Sequence, residues 1–206
     1  MIKQDTAIVV FLRSPNARLK KTRLAKELGE FDSDQVYQIL VNKILEDVQQ
    51  IPNVDKCLSL HSMSGKDVQW FSKRELAKGW LIFEQNGICL GERMHNTFVR
   101  LSSFYNRILL VGSDVADCTS NDLILAINKL ENREDIVVGP SADGGFWCLG
   151  LFNSNIDLFN GLEWSTNNVF SGLKQNIENL NLKCKTTVMR RDIDTCYDIG
   201  MTTLLS

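Results

Sequence analysis

The loop 13–23 concentrates positive charge after an apolar run and before a predicted helix. Its five cations are Arg13, Arg18, Lys20, Lys21 and Arg23. Cations beside the free N–H groups of a helix N-terminus suit a phosphate, although these residues could also form only a solvated basic loop. The loop lacks the glycines of a Walker loop, and the chain has no Gly-x-Gly-x-x-Gly motif of a dinucleotide site. The loop is therefore a candidate phosphate site outside those two classes.

Asp114 is a candidate ligand for a divalent cation. It ends the sequence Gly112-Ser113-Asp114, directly after the apolar run 107–111. A carboxylate at the end of a buried strand can hold Mg²⁺ or Mn²⁺ against a diphosphate, because these hard cations prefer oxygen ligands. Asp114 or Ser113 could instead cap a helix, and the sequence leaves both interpretations open.

The segment 139–145 combines a carboxylate with three of the chain's 13 glycines. Glycines let the backbone approach a ligand closely, and Asp143 could accept hydrogen bonds from sugar hydroxyls. The alternative is a tight turn, for which Asp143-Gly144 is a common signal. A two-residue hairpin would not, however, account for Gly139-Pro140 just before it.

The segment 190–198 carries a second group of carboxylates. Asp192 and Asp194 alternate along an extended stretch, so their side chains should lie on one side of it. One of them could be the second ligand of a divalent cation. Asp194 or Thr195 could instead cap the last predicted helix.

The elements that must position these segments alternate between strand-like and helix-like patterns. The predicted strands are 6–12, 55–60, 80–83, 107–111, 135–138, 145–151 and 185–189, and the predicted helices are 35–51, 92–104, 120–130, 168–180 and 195–205, with Ser120 as an N-cap. This alternation predicts an α/β fold with a mixed, mostly parallel sheet and helices on both faces. Ligands of such sheets bind beyond the carboxyl ends of the strands, where all four segments lie. No linker or repeat interrupts the chain, so we expect one domain over residues 1–206.

The composition excludes several classes of function. A net charge of -2 gives no electrostatic argument for binding nucleic acid or a membrane surface. The apolar runs are far shorter than the ~20 residues that span a bilayer. The first run precedes its cations, the reverse of a signal peptide, so we expect a cytoplasmic protein. The 6 cysteines and 2 histidines are scattered without a metal-binding spacing.

Six motifs, in this order, resemble a bacterial family of glycosyltransferase-A-like proteins, often described as glycosyltransferases and sometimes linked to arsenosugar biosynthesis. The motifs are Arg13-Ser14-Pro15 with Lys21-Thr22-Arg23-Leu24, Gly91-Glu92-Arg93-Met94, Gly112-Ser113-Asp114, the segment 139–145, Trp164-Ser165 and the segment 192–195. They span nearly the whole chain. The sequence departs from the family pattern at Arg18, Ala116 and Cys89, where a glycine, a proline and an aspartate are expected.

The resemblance implies the nucleotide-diphospho-sugar transferase fold, of glycosyltransferase-A (GT-A) type, shared with the guanylyltransferases of molybdenum cofactor and phospholactate metabolism. It implies roles for residues of this chain. Arg13, Lys21, Thr22 and Arg23 would bind the nucleotide phosphates, Asp114 and Asp194 would bind Mg²⁺ or Mn²⁺, and Asp143, Gly144, Gly145 and Trp164 would face the sugar or acceptor. Apart from the resemblance, an inverting transferase needs a carboxylate near the acceptor hydroxyl, and Asp143 is our candidate for this catalytic base.

The expected function is that of a metal-dependent, glycosyltransferase-like transferase that uses a nucleotide-activated sugar and a small-molecule acceptor. Two alternatives stay open. A nucleotidyltransferase of the same fold would join a nucleoside triphosphate to a phosphorylated metabolite and release pyrophosphate. A non-catalytic nucleotide-binding protein could have kept the fold and lost the reaction, an alternative that the three departures motivate.

Overall fold

The computed structural model describes residues 4–17, 21–72, 78–152 and 158–202, which form a sheet flanked by helices. The strands are β1 (Gln4–Arg13), β2 (Asp55–His61), β3 (Leu81–Glu84), β4 (Tyr105–Gly112), β5 (Asp135–Pro140), β6 (Phe146–Phe152) and β7 (Lys183–Thr186). The helices are α1 (Thr22–Leu28), α2 (Glu30–Gln49), α3 (Gly65–Ser72), α4 (Leu90–Ser102), α5 (Ser120–Asn128), α6 (Val169–Asn179) and α7 (Cys196–Gly200).

The sheet has seven described strands in the order β3-β2-β1-β4-β6-β5-β7. β6 is antiparallel to both of its neighbours, and the other described pairs are parallel. In register, Arg13 at the end of β1 lies opposite His61 at the end of β2, and Phe11 lies opposite Gly112 of β4. The carboxyl ends of β1, β2 and β4 therefore meet at one edge. The predicted mixed, mostly parallel sheet is confirmed.

Both faces of the sheet are covered because the central strands are apolar on both sides. Along β1, Ile8 and Val10 pack against α2 and α5, whereas Ala7 and Val9 pack with residues of α4 and α6 on the opposite face. Successive strand side chains point to opposite faces, so a continuous apolar run serves two cores at once. The helices accordingly lie on both faces, as the sequence predicts.

Several element boundaries differ from the predictions. The second helix begins at Glu30, five residues before the predicted start at 35, next to Gly29, whose positive φ separates it from α1. The last strand is Lys183–Thr186, where it pairs with β5, rather than 185–189. The last helix ends at Gly200, and residues 203–205 of its predicted range lie outside the described residues.

The predicted N-cap at Ser120 is wrong, because Thr119 caps α5. The Thr119 hydroxyl accepts from the Asp122 backbone N–H, and the Asp122 carboxylate accepts from the Thr119 backbone N–H. This reciprocal capping box satisfies two N–H groups that a Ser120 cap would leave free. Among the described helices, none is long and apolar enough to cross a membrane.

Candidate active site

Loops beyond the carboxyl edge of the sheet enclose a cavity of about 430 Å³, called the main cavity below. It brings together residues from all four segments singled out in the sequence. The predicted site residues in its lining are Arg23, Asp114, Asp143, Gly145, Trp164 and Asp194. Its apolar wall includes Phe11, Leu90, Met94 and Phe146.

Lys21 joins the two predicted metal ligands. Its side chain is buried, and Nζ lies 2.8 Å from Asp114 Oδ2 and 3.2 Å from Asp194 Oδ1. Arg23 contacts the other oxygen of Asp194 at 3.4 Å. Burial alone would lower the pKa of Lys21, but the charges and hydrogen bonds of the two carboxylates outweigh it and raise the pKa above its ordinary value. Lys21 is therefore a fixed positive charge at the edge of the main cavity.

The segment 190–195 is held at the cavity by backbone pairing. Its Asp192 forms an antiparallel bridge with Val115, and the Ile193 N–H donates to the Asp114 carbonyl at 2.9 Å. Ile193 is fully buried in a small core that contains Leu24. Because Ile193 points into this core, the alternation of an extended chain turns Asp192 and Asp194 toward the cavity, as the sequence predicts.

Asp192 is a cavity residue to which sequence reasoning gave no definite role. Burial raises the pKa of its carboxyl to about 7; the charges of Asp114 and Asp143 act in the same direction, while the Ser141 hydroxyl and Lys21 oppose it. Ser141 donates to Asp192 Oδ2 at 2.8 Å. The pattern that pointed to Asp194 contained Asp192 as well, but the sequence could not show how deeply each is buried.

The loop 139–145 is both a turn and a wall of the cavity. Asp143 Oδ1 accepts from the Gly145 N–H at 2.9 Å, and both residues line the main cavity. Gly144 instead faces Asn167: it has a φ of +87°, and a Cβ there would lie 2.2 Å from the Asn167 carbonyl oxygen. Its carbonyl accepts from the Phe170 N–H at 2.8 Å. Gly144 thus packs two loops together, and its predicted contact with a sugar stays a prediction.

Trp164 divides two cavities. Its ring lies 6.5 Å from the ring of Phe146 and 6.1 Å from that of Phe159, centroid to centroid. One side lines the main cavity and the other a cavity of about 360 Å³. The ring is therefore placed to form an apolar wall for a ligand of the main cavity.

Arg13 and Thr22 lie away from the lining of the main cavity. Arg13 ends β1 and lines two smaller cavities, and Thr22 is the exposed first residue of α1. Their predicted phosphate contacts stay predictions.

Two of the three departures from the family pattern have structural positions. Ala116 is buried in the same small core as Leu24 and Ile193. Cys89 is the N-cap of α4, where its sulfur accepts from the Glu92 N–H, and it lines the smaller cavity beyond Trp164 rather than the main one. Arg18 lies outside the described residues.

Asp114 and Asp194 form a donor pair that fits a divalent cation. Both carboxylates converge on a single positive charge, the Lys21 ammonium, and carboxylate oxygens are the ligands that Mg²⁺ prefers. The described residues contain no group of three or more His, Cys, Asp or Glu side chains arranged for a metal. One or two carboxylates are nevertheless usual for Mg²⁺, which takes its other ligands from substrate phosphates and water.

Comparison with solved structures identifies the fold. A protein of Desulfovibrio desulfuricans G20, provisionally named a nucleotide-diphospho-sugar transferase, is 24% identical with a TM-score of 0.87 over 97% of this chain and 86% of that one. A nucleotidyl transferase from Methanothermobacter thermautotrophicus is 12% identical, with a TM-score of 0.60 over 96% and 95% of the two chains. The 4-diphosphocytidyl-2C-methyl-D-erythritol synthase of Anaerococcus prevotii DSM 20548 is 12% identical, with a TM-score of 0.58 over 95% and 94%. The predicted GT-A type fold is confirmed.

A search of curated proteins found no match. A family model does match: the one described as "Uncharacterized protein conserved in bacteria (DUF2064)" covers residues 44–166, more than half of the chain. The matched range contains Asp114, Asp143 and Trp164 of the main cavity. Together with the fold, this match confirms the resemblance to a bacterial family of GT-A-like proteins, and the chain belongs to the DUF2064 family.

Proposed function

We propose that this protein is a transferase that acts on a nucleotide-activated sugar, with the diphosphate bound beside Lys21 and the sugar in the main cavity. The observation that carries the proposal is the contact of one buried ammonium group with the carboxylates of Asp114 and Asp194 at the cavity edge. Through this contact, the basic loop 13–23 meets acidic residues of two other segments, Asp114 and Asp194. Such a mixture of fixed charges suits a diphosphate with its cation, whereas a purely structural ion pair would not need a cavity beside it.

Lys21 and Arg23 would stabilise the leaving group. Breaking the bond between a sugar and a diphosphate leaves negative charge on the diphosphate, and cations already in place stabilise that charge as it forms. Lys21 is held by two carboxylates, and Arg23 lines the main cavity while contacting Asp194. Under this proposal both cations would lie close to the developing charge, and the loop would need no large rearrangement.

Asp114 and Asp194 would hold Mg²⁺ or Mn²⁺ when the nucleotide binds. The bound cation would supply Lewis-acid stabilisation of the diphosphate charge. Both oxygens of Asp194 and one of Asp114 contact Lys21 or Arg23, so a divalent cation would compete with the Lys21 ammonium for the same oxygens. Binding of the cation would thereby free the Lys21 ammonium to contact the phosphates.

Asp143 is the proposed base for the acceptor. Its carboxylate lines the main cavity, and the Gly145 N–H fixes one of its oxygens. A carboxylate within hydrogen-bond reach of an acceptor hydroxyl can take its proton as the new bond forms. Trp164 and Phe146 line the same cavity, and an apolar ring wall with a few polar groups suits a sugar, which presents both C–H surfaces and hydroxyls.

A nucleotidyltransferase is the second candidate. Two of the similar solved structures are named a nucleotidyl transferase and a 4-diphosphocytidyl-2C-methyl-D-erythritol synthase. The same charged residues could hold a nucleoside triphosphate while a phosphorylated metabolite attacks it and pyrophosphate leaves. Fold alone does not decide between the two reactions.

The two reactions release different products, which gives the test. The purified protein is incubated with nucleotide sugars and small hydroxyl-bearing acceptors and, separately, with nucleoside triphosphates and phosphorylated acceptors, in Mn²⁺ or Mg²⁺ and in chelator. Release of a nucleoside diphosphate from a nucleotide sugar, lost in Asp114→Asn, supports the proposal. The exposed Asp32 on α2 provides the charge-matched control Asp32→Asn, which should keep full activity.

Other outcomes separate the alternatives. Release of pyrophosphate from a triphosphate, without reaction of any nucleotide sugar, would replace the proposal with the nucleotidyltransferase. Nucleotide binding without turnover in either arm would favour the non-catalytic alternative. Equal activity in Asp114→Asn and the unaltered protein would contradict the role given to Asp114.

A further inference from the structure

A separate cavity of about 250 Å³ lies at the carboxyl ends of β1, β2 and β3, beside the start of α4. It is called the β1–β3 cavity here. Three basic side chains from three different elements line it: Arg13 of β1, His61 of β2 and Arg93 of α4. Asp114 lines both this cavity and the main one, so the two cavities are neighbours.

Arg93 is the unusual member of this group, because no described residue pairs with its guanidinium and its Nε is buried without a hydrogen-bond partner. A guanidinium carries five N–H donors and is always charged. Arg93 as a whole is half-buried, but its Nε–H is shielded from water, and a buried donor without an acceptor is costly unless a ligand supplies one. An anion bound in this cavity would accept hydrogen bonds from the Arg93 guanidinium and balance its charge.

The start of α4 holds Arg93 in place. Glu92, one residue before it, accepts from the Ile88 N–H at 2.8 Å, and the Cys89 sulfur accepts from the Glu92 N–H. One turn later, the Thr97 hydroxyl donates to the Arg93 carbonyl at 2.8 Å. The backbone that carries Arg93 is thus anchored on both sides, as a binding residue requires.

The electrostatics of the cavity agree with an anion site. Burial lowers the pKa of His61, the charges of Arg93 and Arg13 lower it further, and Glu84 only partly opposes them. Asp114, which shares the cavity wall, is already paired with Lys21 at 2.8 Å. Among the described residues that line this cavity, three are basic, Arg13, His61 and Arg93, and one, Asp114, is acidic.

We infer that Arg93, together with Arg13 and His61, binds a phosphoryl group in the β1–β3 cavity. A phosphoryl group offers several oxygens to side chains that arrive from three elements, and guanidinium groups bind such oxygens in pairs. The group belongs either to the nucleotide or to a phosphorylated acceptor. The inference deepens the proposed function and rests on it for the choice between these two sources, but the anion site itself can be tested without turnover.

The two histidines of the chain allow a direct test by NMR. His61 lines the β1–β3 cavity, whereas His95 lines the cavity beyond Trp164, so His95 is an internal control. Titration with inorganic phosphate should shift the imidazole signals of His61 and leave those of His95 in place. In Arg93→Gln the apparent dissociation constant at His61 should rise about ten- to a hundredfold, as expected for a lost hydrogen bond to a charged group.

Arg133, exposed between α5 and β5, supplies the matched control Arg133→Gln. It should leave phosphate binding unchanged, which separates a local contact from the loss of net charge. If Arg93→Gln does not fold, Arg93→Lys takes its place, because lysine keeps the positive charge but cannot form the bidentate contact of a guanidinium. Absence of a shift at His61, or equal binding in the Arg93 variant and the unaltered protein, would overturn the inference.

Two further titrations distinguish the sources. A nucleoside monophosphate that binds more tightly than phosphate, with the same dependence on Arg93, assigns the group to the nucleotide. A sugar phosphate that does so assigns it to the acceptor. If phosphate binds through Arg93 but no transfer reaction is found, the proposed function fails while the anion site stands.

Discussion

At the scale of single residues, Lys21 connects the parts of the proposed active site. Its ammonium contacts Asp114 and Asp194, although the latter lies 173 positions further along the chain. The two carboxylates would repel each other without it, because like charges at short range destabilise the ionised pair. Lys21 therefore has two roles, one in holding the acidic segments together and one in binding phosphate.

Removing the Lys21 charge should change the binding of two ligands in opposite directions. In Lys21→Met, we expect the affinity for Mn²⁺ alone to rise, because the ammonium no longer competes for the carboxylate oxygens. The affinity for a nucleoside diphosphate should fall about tenfold or more, since a charged hydrogen bond is lost. Isothermal titration calorimetry measures both values. The exposed Lys26 of α1 gives the control Lys26→Met, and unchanged affinities in Lys21→Met would leave Lys21 with a structural role only.

At the scale of the elements, the start of α5 is joined to the segment that carries two carboxylates of the site. The Thr119–Asp122 capping box begins α5, and both oxygens of the Asp122 carboxylate also accept from Arg190 Nη2, each at 2.7 Å. Arg190 in turn bridges to Ser141. This ion pair therefore ties α5 to the segment that carries Asp192 and Asp194, so helix capping and site geometry are coupled.

Asp122→Asn should destabilise the protein in a pH-dependent way. Burial raises the pKa of Asp122, but hydrogen bonds from Arg190 and Thr119 outweigh it, and the folded pKa lies below its ordinary value. The stability from this carboxylate is therefore present above its unfolded pKa of about 3.9 and is lost as the pH falls through the folded value. At pH 7 we expect a loss of about 3 kcal/mol, as for a broken buried ion pair.

Urea unfolding of both proteins between pH 7 and the acid range measures the difference. The difference in free energy of unfolding between the unaltered protein and Asp122→Asn should become smaller as the pH falls below about 4. A difference in free energy of unfolding that stays constant with pH would show that the charge of Asp122 does not contribute to stability.

The start of α4 is weakly capped and could be improved. Cys89 accepts from the Glu92 N–H at a sulfur-to-nitrogen distance of 3.5 Å, and sulfur is a weak acceptor. An aspartate is among the best N-cap residues. Cys89→Asp should therefore raise the free energy of unfolding by about 0.5–1 kcal/mol, measured by urea denaturation, whereas Cys89→Ala should not. Equal stability of the two variants would show that residue 89 does not cap the helix in solution.

At the scale of the whole molecule, the sheet separates a rigid interior from the binding edge. β1 and β4 are central, pair on both sides and contribute fully buried residues to the cores on both faces. The main cavity is lined by Arg23 and Asp114, which follow β1 and β4, and by residues of the segments that follow β5, β6 and β7. A ligand bound there would connect loops that the backbone alone joins only at a few bridges.

Hydrogen exchange should report this division. Without ligand, we expect the slowest amide exchange in β1 and β4, because their opening requires disruption of both cores. A nucleoside diphosphate with Mn²⁺ should slow exchange at 21–23, 112–116 and 190–195 and leave the exposed end of α6 unchanged. Protection spread evenly over the molecule would indicate general stabilisation by mass action rather than binding at the cavity edge.

Much of the architecture follows from local sequence patterns. The apolar run of β1 and the helical spacing in α2 appear within single short segments, because periodicity is a local property. The same holds for the four polar segments after the strands, whose position predicted a site at the carboxyl edge. Element boundaries such as the start of α2 and the cap of α5 were less predictable, since competing polar residues stand side by side in the sequence.

Which side chains come into contact depends on tertiary structure that local sequence patterns do not contain. The sequence indicated that Lys21, Asp114 and Asp194 belong to one edge, but their contact depends on the antiparallel bridge at Asp192 and the burial of Ile193. The sequence also contained Arg93 within a motif without showing that its Nε is buried and has no hydrogen-bond partner among the described residues. The types of residue and their order can be read from the sequence. Burial and ion pairing instead depend on contacts between segments that are distant in sequence. Those contacts form only when the sheet assembles.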